Sequence, residues 1–185
     1  MTTQSTTKTS ASSRPKTFPA PRQLATQTDL KPQEAQRITE ALNPLIADAF
    51  ALYVKTKNFH WHLSGSHFRD YHLLFDEHAD QIFASIDILA ERVRRVGGTT
   101  IRSISHVSQL QTIHDDNEDF VSPGDMVRRL MEDNAHICVA QRAAHEVCEQ
   151  CRDVATASLL EVIIDETERR KWFLFEVYQG ENNTN

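Results

Sequence analysis

The chain has 185 residues, of which 39% are hydrophobic and 25% charged, and it contains only five glycines and six prolines. That length suffices for one domain with a sizeable core, and the composition favours a mostly helical protein over a turn-rich β protein. No stretch approaches the ~18 apolar residues of a membrane span. The polar N-terminus has no apolar region typical of a secretory signal, and three cysteines do not suggest a disulfide framework, so we expect a reducing cytoplasm.

Residues 1–31 differ from the rest of the chain in composition and in charge. They are rich in Thr, Ser, Gln and Pro, so we predict a flexible tail that ends before Pro32. Of the net charge of −6, the tail carries +4 and the remainder −10. The five cations of the tail are Lys8, Arg14, Lys16, Arg22 and Lys31. A basic arm on an acidic body is typical of an interaction tail.

Apolar residues at three-and-four spacing then predict two long helices. The first runs from Pro32 to about Leu63, and Pro44 either kinks it or makes it restart at Asn43. The second runs from about His67 to Val96, where two glycines follow.

A long connection over residues 99–121 separates these helices from two more, and a short helix is predicted in it near residues 103–110. Ser122 and Pro123 open the third long helix, and Asp153 or Thr156 caps the fourth, which runs to about Tyr178. We therefore predict an all-α, ferritin-like four-helix bundle over residues 32–179, with a long crossover between helices two and three. Residues 180–185 are expected to be a disordered end.

Metal-ligating side chains crowd the end of helix one and the start of helix two. On the second helix, His72 and Asp76 share one face, and Asp87 and Glu91 lie on the same side. The two pairs are about 16 Å or more apart along the axis, so one ion cannot join them. Either the chain has two incomplete sites, or an antiparallel second copy brings the missing half. In that case His60 could complete the histidine side.

An iron pair inside the bundle would instead need Glu-x-x-His motifs on facing helices. None of the histidines has Glu three residues before it, and the nearest match, Asp133-x-x-His136, stands alone. The sequence does not favour an internal di-iron site.

The stretches KNFHWHLSG, YHLLFDE and IDILAERVRRVGG, with RDVATASLLE leading to KWFL, resemble the Dps family of small ferritins. The resemblance covers about residues 33–178. It implies a hollow dodecamer that oxidises Fe(II), with hydrogen peroxide as the preferred oxidant, at sites between two-fold related subunits, and that stores the ferric mineral inside.

The resemblance also implies the ligands: His60, His72 and Asp76 from one subunit, and Asp87 and Glu91 from its neighbour. Imidazole and carboxylate ligands suit Fe(II), and zinc is a conceivable substitute. Trp61, beside a ligand, is a candidate to intercept stray oxidising equivalents, although Trp61 and Trp172 are first expected to be packing residues. His62 stands where the family usually has Asn, so it is either an extra ligand or, like His67 and His78, an ordinary solvated or core side chain.

Three further features are open to two interpretations. Cys148 and Cys151 form a single C-x-x-C pair, which we interpret as reduced cysteines rather than a zinc or redox site. Glu149 and Asp153 either line an acidic threefold pore or are ordinary helix-end carboxylates. The basic tail either binds DNA, with contacts multiplied by the shell, or has no dedicated partner.

The resemblance thus implies a ferroxidase and iron store that protects DNA and lies near the nucleoid. The alternative is a non-enzymatic DNA-compacting protein with a structural metal site.

Overall fold

The computed structural model describes residues 18–182, and the helices within that range follow the predicted order. A single 3-10 turn spans Arg22–Leu24. The α-helices are α1 Pro32–His62, α2 Phe68–Arg95, α3 Ile104–Leu110, α4 Pro123–Gln150 and α5 Val154–Asn182. Residues 18–182 contain no strand, so the all-α prediction is confirmed. Lys8, Arg14 and Lys16 lie outside the described residues, as does the chain after Asn182.

Local capping explains where the later helices begin. The Ser122 hydroxyl accepts a hydrogen bond from the backbone N–H of Asp125 at 3.2 Å, and Pro123 occupies the first turn of α4. At α5 the cap is Asp153 rather than Thr156, because Asp153 accepts from the backbone N–H of Thr156 at 3.1 Å. Gly97 ends α2 with a φ of +92°, a conformation that a residue with a Cβ rarely adopts.

Helix α1 continues through Pro44, so, of the two predicted alternatives, the restart at Asn43 is wrong. Proline removes one hydrogen bond from the helix interior, but the buried surface on both sides of it holds the helix together. Asn43 instead serves a tertiary contact: its side-chain amide donates to the backbone carbonyl of Thr99 at 2.9 Å. This bond ties α1 to the chain that leaves α2.

The bundle consists of two antiparallel pairs, α1 with α2 and α4 with α5, and α1 also packs against α4 and α3. Its core contains large side chains from each long helix: Ile38, Leu42, Leu52, Phe59, Phe75, Leu89, Met126, Leu130, Leu160 and Leu174. The crossover is anchored by buried Asp48, which accepts hydrogen bonds from the Thr112 hydroxyl at 2.8 Å and the Ile113 N–H at 3.0 Å. The ferritin-like bundle with a short helix in its long crossover is thereby confirmed.

The structure differs from the predicted boundaries at both ends of the bundle. The guanidinium of Arg94, on α2, donates to the Leu24 carbonyl and, at 3.5 Å, to the Thr26 hydroxyl. Leu30 packs against the core. The chain therefore contacts the bundle before Pro32, and the predicted tail of residues 1–31 is too long at its C-terminal end. At the other end α5 extends beyond residue 179.

Among residues 18–182, the helices are too polar for any of them to span a membrane.

Candidate metal centre

His60 near the end of α1 and His72 in the second turn of α2 are joined by two crossed hydrogen bonds. The Nδ1–H of His60 donates to the backbone carbonyl of His72 at 2.9 Å. The Nδ1–H of His72 donates to the backbone carbonyl of His60 at 3.1 Å. Since carbonyl oxygens only accept, both neutral rings carry their proton on Nδ1 and expose a lone pair on Nε2. A carbonyl partner of this kind is the usual support for a metal-ligating histidine.

Ring stacking fixes the two imidazoles further. Their centroids are 3.7 Å apart with an interplanar angle of 21°. Phe68, one turn before His72, stacks on the His72 ring with a centroid distance of 5.0 Å. The positions of both Nε2 atoms are therefore determined before any ligand binds.

Asp76 brings a carboxylate to the same place. Its Oδ1 lies 3.8 Å from Nε2 of His60. An ion about 2.1 Å from each of two ligand atoms can hold them up to about 4.2 Å apart, so this separation fits one transition metal between the two groups. Within the described chain, Asp76 thus lies near His60, whose ring stacks on that of His72.

The Asp76 carboxylate already has a cationic partner. The ammonium of Lys57 donates to the same Oδ1 at 2.6 Å. This hydrogen bond lowers the pKa of Asp76 below its usual range and raises that of Lys57. Lys57 was not among the predicted site residues. It lies three residues before His60 on the same face of α1, and this spacing could have indicated it.

Asp87 and Glu91 do not join that group in this chain. Both are exposed on α2, and Glu91 forms an ion pair with Arg95 on its own helix. Within residues 18–182, no three His, Cys, Asp or Glu side chains form a group that could hold a metal ion. The chain carries the predicted residues as two separate sets.

An apolar groove of about 480 Å³ lies next to Asp87. Its lining includes Phe50, Ile101 and two side chains that are largely exposed, Phe83 at 54% and Ile104 at 77%. Large apolar side chains left in water beside a carboxylate are typical of a surface that another chain covers.

The other histidines fall outside this centre. His62 is exposed and its Nδ1–H donates to the Asn58 carbonyl at 2.9 Å. Two residues after His60 on a helix, it faces nearly the opposite side, so it is not an extra ligand to the His60 set in this chain. His67 is exposed and its ring stacks on Tyr71. His78 is a core side chain, 4% exposed.

Burial, reinforced by the charges of Arg170 and Arg169, lowers the pKa of His78 from 6.5 to about 3. Folded His78 is neutral where the unfolded chain takes up a proton, so the free energy of unfolding falls as pH drops from 6.5 towards 3. We expect His78 to contribute a loss of about 2 kcal/mol between pH 7 and pH 5. Urea unfolding at both pH values should show a smaller difference in His78→Gln, which is neutral throughout, and an equal difference in both proteins would contradict this account.

The two tryptophans are exposed, Trp61 at 64% and Trp172 at 58%. The prediction that they are packing residues is wrong for the single chain. Trp61 lies next to His60 in sequence but outside the core, and the indole N–H of Trp172 donates to Glu176 at 2.9 Å.

Cys148 and Cys151 are both free and buried at the end of α4. Burial raises the pKa of Cys148 to about 12, which disfavours the thiolate that zinc binding and redox exchange need.

The two candidate pore acids differ from one another. Glu149 is exposed, whereas Asp153 is buried, caps α5 and forms an ion pair with Arg92. Asp153 is therefore not an ordinary exposed helix-end carboxylate. Of the candidate DNA contacts, only Arg22 and Lys31 lie within the described residues, and both are exposed.

Comparison with known proteins agrees with this architecture. Residues 39–180 match the family model of the ferritin-like domain. A low temperature-induced protein of Nostoc, itself uncharacterized, is 33% identical over 153 residues, which are 82% of this chain and 86% of that protein. The DNA protection during starvation protein of Brevibacillus brevis is 30% identical over 78% of this chain and 97% of its own.

Solved structures give the same result. A Dps protein from Vibrio cholerae O1, described as a member of a broad superfamily of ferritin-like diiron-carboxylate proteins, superposes with a TM-score of 0.77. It is 26% identical, and the match covers 82% of this chain and 96% of that one. Together with the matched ferritin-like domain, these likenesses show that the chain belongs to the Dps family of mini-ferritins.

Proposed function

We propose that this protein is a ferroxidase and iron store that oxidises Fe(II) at sites shared by two subunits. The observation that carries the proposal is the crossed pair of histidines. Both Nε2 lone pairs are available, and the carboxylate of Asp76 lies 3.8 Å from one of them. Two imidazole nitrogens and a carboxylate oxygen form a donor set that suits Fe(II).

The remaining ligands come from a second copy in this proposal. Asp87 and Glu91 lie on the same side of α2 as His72 and are exposed. A two-fold axis between antiparallel α2 helices would bring the His72 end of one chain to the Glu91 end of the other. The apolar groove beside Asp87 supplies surface for that contact. We infer a closed homo-oligomer, a dodecamer as in the family, with Fe(II) between its two-fold related subunits.

Hydrogen peroxide is the proposed oxidant. Two Fe(II) ions give up one electron each, the O–O bond breaks, and two protons complete two waters, so no hydroxyl radical is released. Carboxylates favour the ferric product, which then mineralises inside the shell. Trp61, which follows ligand His60 in the sequence and is exposed, is the residue proposed to donate an electron to an oxidant that escapes this reaction.

The test is anaerobic loading with Fe(II), addition of peroxide and measurement of ferric absorbance. We expect fast oxidation in the wild type and a loss of at least about a hundredfold in Asp87→Ala/Glu91→Ala, since both ligands from the neighbouring subunit are absent. Glu77→Ala, which removes an exposed α2 carboxylate that pairs with Arg169, is the matched control and should oxidise Fe(II) normally. Size-exclusion chromatography must show that each assembly is intact.

Equal rates in the wild type and the double variant would rule out this site. Binding of Zn²⁺ without Fe(II) oxidation would favour the alternative, a DNA-compacting protein whose metal is structural, because the same donors suit zinc.

Protection of DNA is the second part of the proposal, in the cytoplasm and close to the nucleoid. The protein would bind DNA through its basic N-terminal residues, whose weak phosphate contacts add up over the shell. Removing residues 1–17 takes away Lys8, Arg14 and Lys16. Gel-shift assays at rising salt should show binding by the full chain that weakens with salt, and little binding by the shortened one. Equal binding by both would place the DNA contact elsewhere.

A further inference from the structure

The ammonium of Lys57 and a metal ion would compete for one oxygen atom. Oδ1 of Asp76 accepts from Lys57 at 2.6 Å, and the same atom faces Nε2 of His60 at 3.8 Å. Fe(II) that binds between His60 and Asp76 must therefore weaken or displace the lysine. The Lys57 side chain is only 17% exposed, so without a new partner its charge would be left poorly solvated.

Asp80 is the carboxylate best placed to become that partner. It follows Asp76 by one turn of α2 and lies on the same helix face, where side chains four residues apart are neighbours. It is exposed, and within residues 18–182 its carboxylate has no hydrogen bond or ion pair. The pKa of Lys57 is raised chiefly by the hydrogen bond to Asp76, and the charge of Asp80 contributes to the same direction, which places Asp80 within electrostatic reach of the ammonium.

We propose that Asp80 is a positioning residue that receives the ammonium of Lys57 when Asp76 turns to the incoming metal ion. Asp80 does not touch the metal. It lowers the free energy of releasing Asp76, so that the lysine keeps a carboxylate partner in both the empty and the loaded states. This inference rests on the proposed function, because it assumes that His60 and Asp76 bind metal.

A double-mutant cycle with Co(II) as the probe tests it. Co(II) is titrated into metal-free wild type, Asp80→Asn, Lys57→Met and the combined variant, and visible absorbance reports both affinity and ligand geometry. We expect Asp80→Asn to weaken Co(II) binding about fivefold, the upper range for an exposed ion pair. In the Lys57→Met background, the same Asp80→Asn change should have no effect, because no ammonium needs a second partner.

The cycle separates this role from simple attraction of cations. A general electrostatic effect would weaken Co(II) binding equally with and without Lys57, and that result would overturn the proposal, as would no effect of Asp80→Asn in either background. Glu77→Gln, the same charge change at an α2 carboxylate that pairs with Arg169, is the control and should leave binding unchanged. If Lys57→Met does not assemble, Lys57→Gln takes its place.

A crystal structure of the Co(II)-loaded wild type gives an independent readout. We expect Nζ of Lys57 within hydrogen-bond distance of Asp80 rather than Asp76, and an ammonium that stays on Asp76 would overturn the proposal. A wild type that binds no Co(II) at His60 and Asp76 would overturn the proposed function as well. Binding without coupling between Lys57 and Asp80 would overturn this inference alone.

Discussion

Shells assembled from two inactive variants should regain about a quarter of the wild-type rate of Fe(II) oxidation, if each centre is shared by a two-fold pair. One variant, His60→Ala/His72→Ala, lacks the nitrogen ligands. The other, Asp87→Ala/Glu91→Ala, lacks the carboxylates proposed to come from the neighbour. Each is expected to be inactive alone, because each removes two of the five proposed ligands from every site.

The expected fraction follows from counting sites. When the two variants mix at random, about half of the pairs contain one chain of each kind. In such a mixed pair, one centre combines both defects and the other combines the intact histidines with the intact carboxylates. Half of the pairs are mixed, and one of the two sites in each mixed pair is intact, so a quarter of all sites are active.

Co-expression with two affinity tags supplies the mixed shells, and stopped-flow absorbance after addition of peroxide measures the rate. Mixing the two inactive shells only after assembly is the control and should restore nothing. If a centre were built within one chain, co-assembled shells would also stay inactive. That outcome would contradict the shared site, provided that the wild type remains active.

Replacing Asp153 by alanine should destabilise the chain by about 3 kcal/mol, the scale of a broken buried ion pair together with a lost helix cap. The Asp153 side chain is 4% exposed and pairs with Arg92, whose guanidinium also donates to the Thr156 hydroxyl at 2.6 Å. Without the carboxylate, Arg92 keeps a charge with no anionic partner and the first turn of α5 loses its cap. Guanidinium unfolding, monitored by circular dichroism, measures the effect.

Two companion variants separate stability from a role in a pore. Asp153→Asn keeps a capping oxygen and should be destabilised less than Asp153→Ala, whereas Glu149→Gln, at an exposed position, should be nearly neutral. A normal unfolding midpoint with slower iron uptake in Asp153→Asn would instead support the acidic pore predicted from the sequence.

The bundle could be predicted from the sequence because its signals are local. Ser122 followed by Pro123 begins α4, and Gly97 ends α2, as capping chemistry requires. The restart predicted from Pro44 was wrong because a proline weakens a helix locally, whereas the tertiary packing that outweighs this cost involves residues far away in sequence. The contacts of Leu24 and Thr26 depend on Arg94, which lies about 70 residues away in sequence, so the composition of the tail could not reveal them.

The members of the proposed centre were chosen from helical spacing, and they stay a prediction. In the described chain, Asp76 lies 3.8 Å from His60, whereas Asp87 and Glu91 are exposed further along α2. The crossed hydrogen bonds and the Lys57 ion pair join different helices, so their partners emerge only when α1 and α2 pack. The exposure of Trp61 shows the other limit, because the sequence around His60 does not distinguish an exposed indole from a packed one.

The crossed bonds between His60 and His72 also bear on how quickly an empty shell can respond. Ordering a mobile side chain at the moment of binding costs about 0.5–1.5 kcal/mol each, and these two rings are already ordered. Metal binding at the proposed site then requires no rearrangement of the backbone. It requires only that Lys57 exchange its contact with Asp76 for another one. In the proposed shell, we therefore expect the response to a pulse of iron and peroxide to be limited by the arrival of ions rather than by a change of shape.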